Sequence, residues 1–238
     1  MSERPARLIA ALIRHGDYHQ LPDTPSAHQP FGLTPEGEKQ ARDAAAHLRR
    51  AIRDKGWSLA PSLDCSRLLR AWQTASLIAG ELEFPEPPRL EEFDALAERG
   101  VGSSAANLTR GQIEAVLRAD PRFADPPAGW KSDSHYRLPL QGAESLLEAG
   151  ERVAAHLAER MEALRETAGR DTLKLFVGHG AAFRHAAYHL GVLDFGQVAR
   201  LSMYHARPVY LEYLPIEGVW HHLGGEWKLR AGGDEPVD

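Results

Sequence analysis

Two short apolar runs in this chain each end in a histidine beside glycine. Leu8 to Ile13 leads into Arg14-His15-Gly16, and Leu173 to Val177 leads into Gly178-His179-Gly180. A third short run, Ser62 to Ser66, leads into a segment carrying Arg67 and Arg70. In an open parallel sheet, ligands bind at the carboxyl ends of the strands. Two imidazoles and two guanidinium groups would then meet at one sheet edge. Arginine forks match the oxygen geometry of a phosphate group. The first amides of a helix after Gly180 would add anion donors. A neutral histidine in such a pocket can attack phosphorus. Its other ring N–H must then be held by an acceptor, for which a backbone carbonyl is expected.

Regular elements must position these groups. Thr34-Pro35-Glu36 reads as a helix start, with a capping hydroxyl, a proline suited to the first turn and an acid at the positive helix end. Ala41, Ala44, Ala45, Leu48 and Ile52 continue it at helical spacing, and Gly56 closes it. Ser66 is a candidate cap for a second helix with Leu68, Ala71, Ala75, Ile78 and Leu82 on one face. Thr109 and Gln112 form a capping-box pattern before Ile113, Val116 and Leu117. Glu144 to Arg165 reads as an amphipathic helix, Ala181 to Leu190 as a short one, and segments at 201–203, 209–213 and 219–223 as strands. Prolines 85, 87 and 88 break the chain, and residues 230–238 read as a frayed tail. The expected fold is an α/β three-layer sandwich with a mostly parallel central sheet. Residues 1–238 would form one domain, with an insertion at about 99–140 over the site. In that insertion Trp130 is expected to pack, while His135 and Tyr136 are candidates for a substrate mouth.

Composition narrows the partners. The chain has 238 residues, 33 acidic and 28 basic, for a net charge of −5. That argues against nucleic acid or an anionic membrane as the main partner. One cysteine, Cys65, excludes an intrachain disulfide and fits a reducing compartment. No stretch reads as a signal peptide or membrane span, so a cytoplasmic protein is expected. The alternating C-terminal segment offers an edge strand for a homodimer.

Other reactive side chains have plainer readings. His185 and His189 lie four apart on a helix, a metal-pair spacing, but no third ligand accompanies them. No metal or cofactor is therefore expected. Cys65 reads as a packed thiol, and His221 and His222 as one surface and one core residue. Asp17, Tyr18 and His19 border the site in sequence, as substrate contacts or as solvated loop.

Four blocks together resemble the histidine phosphatase superfamily, the phosphoglycerate mutase-like family. They are Leu-Ile-Arg-His-Gly at 12–16, Leu-Thr-Pro-Glu-Gly-Glu-Lys-Gln-Ala at 33–41, Cys-Ser-Arg-Leu-Leu-Arg-Ala-Trp-Gln-Thr-Ala at 65–75 and Val-Gly-His-Gly at 177–180. The resemblance implies a metal-independent phosphatase of the histidine acid type, with a phosphohistidine on His15. It places Arg14, Arg70 and a protonated His179 around the phosphoryl group, and a carboxylate as proton donor. Leu96-Ala97-Glu98-Arg99-Gly100-Val101-Gly102 resembles the mutase stretch that carries this donor, which points to Glu98. Arg89-Leu90-Glu91-Glu92 resembles a second pattern and makes Glu92 the alternative. Mutases of the family read Arg-His-Gly-Glu-Ser at the first block, whereas this chain has Arg-His-Gly-Asp-Tyr-His. The Asp-Tyr-His continuation is similar to protein phosphatases of the superfamily, so a phosphoprotein joins phosphorylated small molecules as a candidate substrate. A phosphoglycerate-type mutase, a non-catalytic phosphate-binding module and a metallohydrolase on His185 and His189 are the competing readings.

Overall fold

A computed structural model describes residues 6–25, 28–84 and 89–230. The proline break at 85–88 and nearly all of the expected tail lie outside the described residues. Strand β1 (Leu8–Arg14) and strand β4 (Thr172–Gly178) are buried along their whole length. Strands covered on both faces have no solvent side, which is why they read as continuous apolar runs. Six strands form one mixed sheet in the order β3-β2-β4-β1-β6-β7. Strands β3 (Arg89–Phe93), β2 (Ser58–Ser66), β4 and β1 run parallel. Strands β6 (Val209–Leu214) and β7 (Val219–Gly224) add an antiparallel edge.

Alternate residues of each strand feed two cores. Ile9, Ala11, Ile13, Leu63, Leu173, Leu175 and Val177 pack under α1 (Pro35–Lys55) and α2 (Leu69–Glu81). Leu8, Ala10, Leu12 and Phe176 pack under α4 (Leu146–Arg165) and α5 (Gly180–His189). The result is a helix–sheet–helix sandwich, as expected from the alternation of elements. Between 101 and 143 the chain builds a separate small cluster around α3 (Arg110–Ala119), with Val101, Ile113, Leu117, Trp130 and Leu138 buried. Trp130 is packed there as expected, its Nε1–H donating to Glu114 at 3.2 Å. A short helix α6 (Phe195–Arg200) and a two-stranded sheet of β5 (Leu201–Met203) with β8 (Trp227–Leu229) complete the fold. Among the described residues no helix is long and apolar enough to cross a membrane.

Several caps follow the sequence. Thr34 Oγ1 accepts from Gly37 N at 3.1 Å, and Gly56 ends α1 in the left-handed region at φ 67°. The capping box of Thr109 and Gln112 is present, and a second one, Ser145 with Glu148, starts α4. Ser66 does not cap α2. The N-cap is Leu68, without a side-chain bond; the Ser66 hydroxyl accepts from the amide of Leu68 itself at 3.4 Å and lies 2.9 Å from His179 Nε2. His222 is exposed, not core, since β7 is the sheet edge; His221 is exposed beside it.

Beneath the sheet edge lies a buried ionic group. Asp64 on β2 accepts from Lys174 on β4 at 2.7 Å, from Arg160 on α4 at 2.8 Å and from His156 at 3.1 Å. Three donors hold the Asp64 carboxyl below its ordinary range despite burial. Lys174 is also shifted down, because burial outweighs the pull of Asp64 on it.

Candidate active site

The parallel register brings the expected groups to one edge. Arg14 pairs with Gly178 across β1 and β4, and His15 N donates to Gly178 O at 3.0 Å. Directly after β1 the backbone dives against α1: a Cβ on Gly16 would lie 2.5 Å from Gly37 O. Only glycine permits that approach. Thr74 of α2 secures the turn, accepting from Gly16 N at 3.0 Å while donating to Arg70 O at 2.7 Å.

His15, Arg14, Arg70 and His179 are all buried; His15 is 3% exposed, Arg70 and His179 1%. The His15 Nδ1 lies 2.8 Å from Gly16 O. Arg70 Nε donates to His15 Nε2 at 3.1 Å. A guanidinium only donates, so Nε2 carries the lone pair and Nδ1 the proton. Gly16 O is thus the backbone acceptor that fixes the tautomer. Burial first, then Arg70, His179 and Arg14, keep the His15 imidazole neutral well below its usual pKa.

Arg70 is the hub. Its Nη1 donates to Gln29 O at 3.4 Å and its Nη2 to His179 Nδ1 at 3.2 Å. His179 must then hold its proton on Nε2 and donate it to Ser66 Oγ at 2.9 Å. The expected imidazolium at His179 is therefore not what this geometry holds. Burial, Arg70, His28 and Arg14 push its pKa well down. A phosphoryl dianion beside it would act in the opposite sense. Arg67, by contrast, lies at the surface and reaches Asp94 at 3.4 Å.

Arg14 is aimed by a loop that the sequence did not advertise. Its Nη1 donates to Met203 O at 2.9 Å, and Ala206 N donates to Arg14 O at 2.8 Å. Ala206 sits at φ 50°, a left-handed conformation costing about 1–2 kcal/mol for a residue with a Cβ. Between them, His205 places its ring 5.8 Å from that of His15. Gly180 lets the Arg14 stem pass, since a Cβ there would meet Arg14 Cδ at 3.0 Å.

The two candidate carboxylates separate cleanly. Glu92 is exposed on β3, the outer parallel strand. Glu98 is 3% exposed and follows a single 3₁₀ turn at Asp94–Leu96. Its Oε2 accepts from Ala181 N at 3.0 Å and its Oε1 from Arg99 N at 2.9 Å. Glu98 thus occupies an amide at the start of α5 that was expected to meet substrate. Of the side chains beyond Gly16, Asp17 is structural: its Oδ2 accepts from Thr34 Oγ1 at 2.7 Å. His19 is exposed. Tyr18 lies against Arg70, whose Cζ is 4.3 Å from the ring centroid.

The remaining reactive groups are otherwise engaged. His185 Nδ1 lies 2.7 Å from Ala181 O and Nε2 3.0 Å from Ser134 Oγ. His189 Nε2 lies 3.0 Å from Leu147 O. Among the described residues no cluster of three or more His, Cys, Asp or Glu side chains is arranged to hold a metal. Burial pushes the Cys65 thiol up to about 12, so it is not a thiolate at neutral pH.

Solved structures share this architecture. A mycobacterial glucosyl-3-phosphoglycerate phosphatase superposes with a TM-score of 0.66 at 21% identity, covering 95% of this chain and 98% of its own. An alpha-ribazole phosphatase from Shigella flexneri gives 0.64 at 17%, covering 95% and 100%. A phosphoserine phosphatase from Entamoeba histolytica gives 0.58 at 17%, covering 92% and 96%. Among curated proteins no sequence matches. The family model of the histidine phosphatase superfamily, branch 1, matches residues 10–224, which takes in every residue of the cationic pocket. This chain belongs to the histidine phosphatase superfamily.

Proposed function

We propose that this protein hydrolyses phosphate monoesters, without a metal, through a phosphohistidine on His15. The observation that carries the reading is the His15 tautomer. Gly16 O accepts a hydrogen bond from Nδ1–H, and the Nε2 lone pair faces a buried arginine fork shared with His179. Nucleophile and anion clamp thereby sit side by side in one buried pocket.

The steps balance on the chain's own groups. A bound phosphoryl dianion draws the Arg70 N–H groups to its oxygens and so uncovers Nε2. Nε2 forms a bond to phosphorus as the ester P–O bond breaks. Arg14, Arg70 and His179 stabilise charge on the equatorial oxygens. Glu98 acts as the general acid toward the leaving oxygen. Its carboxylate then takes a proton from water as that water bonds to phosphorus and the P–Nε2 bond breaks, which releases orthophosphate and returns the lone pair to Nε2. A phosphorylated small molecule or phosphoprotein is the substrate class. The solved neighbours named as phosphatases support hydrolysis over mutase transfer, as does Tyr18 where the mutase motif has serine.

The test is hydrolysis of p-nitrophenyl phosphate with and without EDTA and with vanadate. Turnover that survives EDTA and falls with vanadate is expected. Retained orthophosphate binding without turnover of any phosphomonoester tried would replace the reading with a phosphate-binding module. Loss with EDTA would favour a metallohydrolase.

A further inference from the structure

We propose that Tyr18 is the positioning residue that sets the plane of the Arg70 guanidinium, and through it the approach of the phosphoryl group to His15. The inference rests on reading Arg70 as the phosphoryl clamp. The hydrogen bonds of Arg70 to His15, Gln29 and His179 all act at the edge of the guanidinium. In-plane bonds hold the fork by its rim, and a ring stacked on its face adds resistance to tilting out of that plane. The Tyr18 ring supplies that contact, 4.3 Å from Cζ. A cation over an aromatic face keeps its N–H edges available for oxygen acceptors, so stack and fork work together. The same ring meets His15 edge-on, at 5.2 Å and 89°. One side chain therefore touches both the nucleophile and its clamp.

The support of Tyr18 comes from the helix that carries Arg70. Tyr18 pairs with Leu33 in an isolated antiparallel bridge. Leu33 N donates to Gln73 Oε1 on α2 at 2.7 Å, three residues beyond Arg70. His19 N to Gly32 O, 3.1 Å, closes the same ladder. The Tyr18 segment is thus tied through Leu33 and Gln73 to the helix that carries Arg70.

The experiment compares Tyr18→Phe, Tyr18→Leu and Tyr18→Met, the last filling space without a π face. Each is made in the wild-type and in an Arg70→Met background. Orthophosphate affinity is read by calorimetry, kcat and KM with p-nitrophenyl phosphate, and folding by thermal melting. Loss of the ring should lower kcat and orthophosphate affinity by about tenfold. KM should rise with the fall in orthophosphate affinity, by up to about tenfold, Tyr18→Phe should stay within about twofold of wild type, and ring loss should have no further effect in the Arg70→Met background. A folded Tyr18→Leu or Tyr18→Met with wild-type kcat and affinity overturns the proposal. So does Tyr18→Phe failing as badly as Tyr18→Leu, or ring loss costing as much in the Arg70→Met background as in the wild-type one. Wild type that binds orthophosphate with this Tyr18 dependence but turns over no ester leaves the positioning role standing and removes the phosphatase reading. Wild type that binds no orthophosphate overturns both.

Discussion

Lowering the pH should unfold this protein early, and the buried histidines set the size of the effect. His15, His179 and His185 are all under 4% exposed. Burial is the first cause of the lowered pKa of each, and His185 is pushed down to about 4. In the unfolded chain each returns to about 6.5. The folded pKa is depressed, so the unfolded state binds more protons and stability falls as pH falls. The loss starts near the unfolded value and continues down to the folded ones. From about pH 7 to about 5.5, each neutral histidine contributes about 1.3 kcal/mol of destabilisation, or about 4 kcal/mol for the three. His28 and His47 shift in the same sense but are exposed, and add little. Against a typical total of about 5–15 kcal/mol, a loss of that size is large. Urea unfolding across this range measures it directly. His185→Gln should remove about one third of the slope, since only one of the three protons is lost. A total loss below about 1 kcal/mol, or a His185→Gln slope equal to wild type, would refute the assignment of these imidazoles as buried and neutral.

The ionic network and the acid give two further expected outcomes. Asp64→Ala leaves Lys174 buried without its carboxylate, with Ser62 as its acceptor among the described residues, and should cost about 3–5 kcal/mol in urea unfolding. Because the folded Lys174 pKa is depressed, that deficit should shrink as pH rises toward the unfolded lysine value; a deficit independent of pH would count against the pairing. Glu98→Gln should slow ester cleavage by about 10²–10⁴-fold with poor leaving groups and less with p-nitrophenol. Glu92→Gln should be within about twofold of wild type, as an exposed edge-strand residue, and the reverse pattern would reassign the acid.

Much of the site was legible because its residues sit at strand ends. A buried strand leaves a plain signal, and topology alone carries the next residues to the sheet edge. His15 and His179 were found this way. Arg70 and Glu98 came from the family blocks, and burial separates them from Arg67 and Glu92. Groups brought in by loops left no such signal. Gln29 contributes a backbone carbonyl to Arg70, and Met203 one to Arg14, and carbonyls have no residue type to read. His205 comes after a three-residue strand, and its turn depends on the left-handed Ala206, a conformation alanine does not announce. Ser66 is legible as a polar residue but not in its role: a serine before a helix reads as a cap unless the partner across the sheet, His179, is known. Strand β3 leaves little sequence signal because Arg89–Phe93 is a half-exposed outer strand with two adjacent acids. Helix α6 is only six residues long and β8 three, too short for periodicity to show.

The covalent intermediate is the most direct test of the central claim. Enzyme quenched during turnover of a ³²P-labelled monoester should carry label that is lost in acid and retained in base. Peptide mapping should place it on Nε2 of His15, and His15→Ala should fold, lose turnover and take up no label. Acid-stable label, label on another residue, or steady hydrolysis by His15→Ala would contradict the phosphohistidine route.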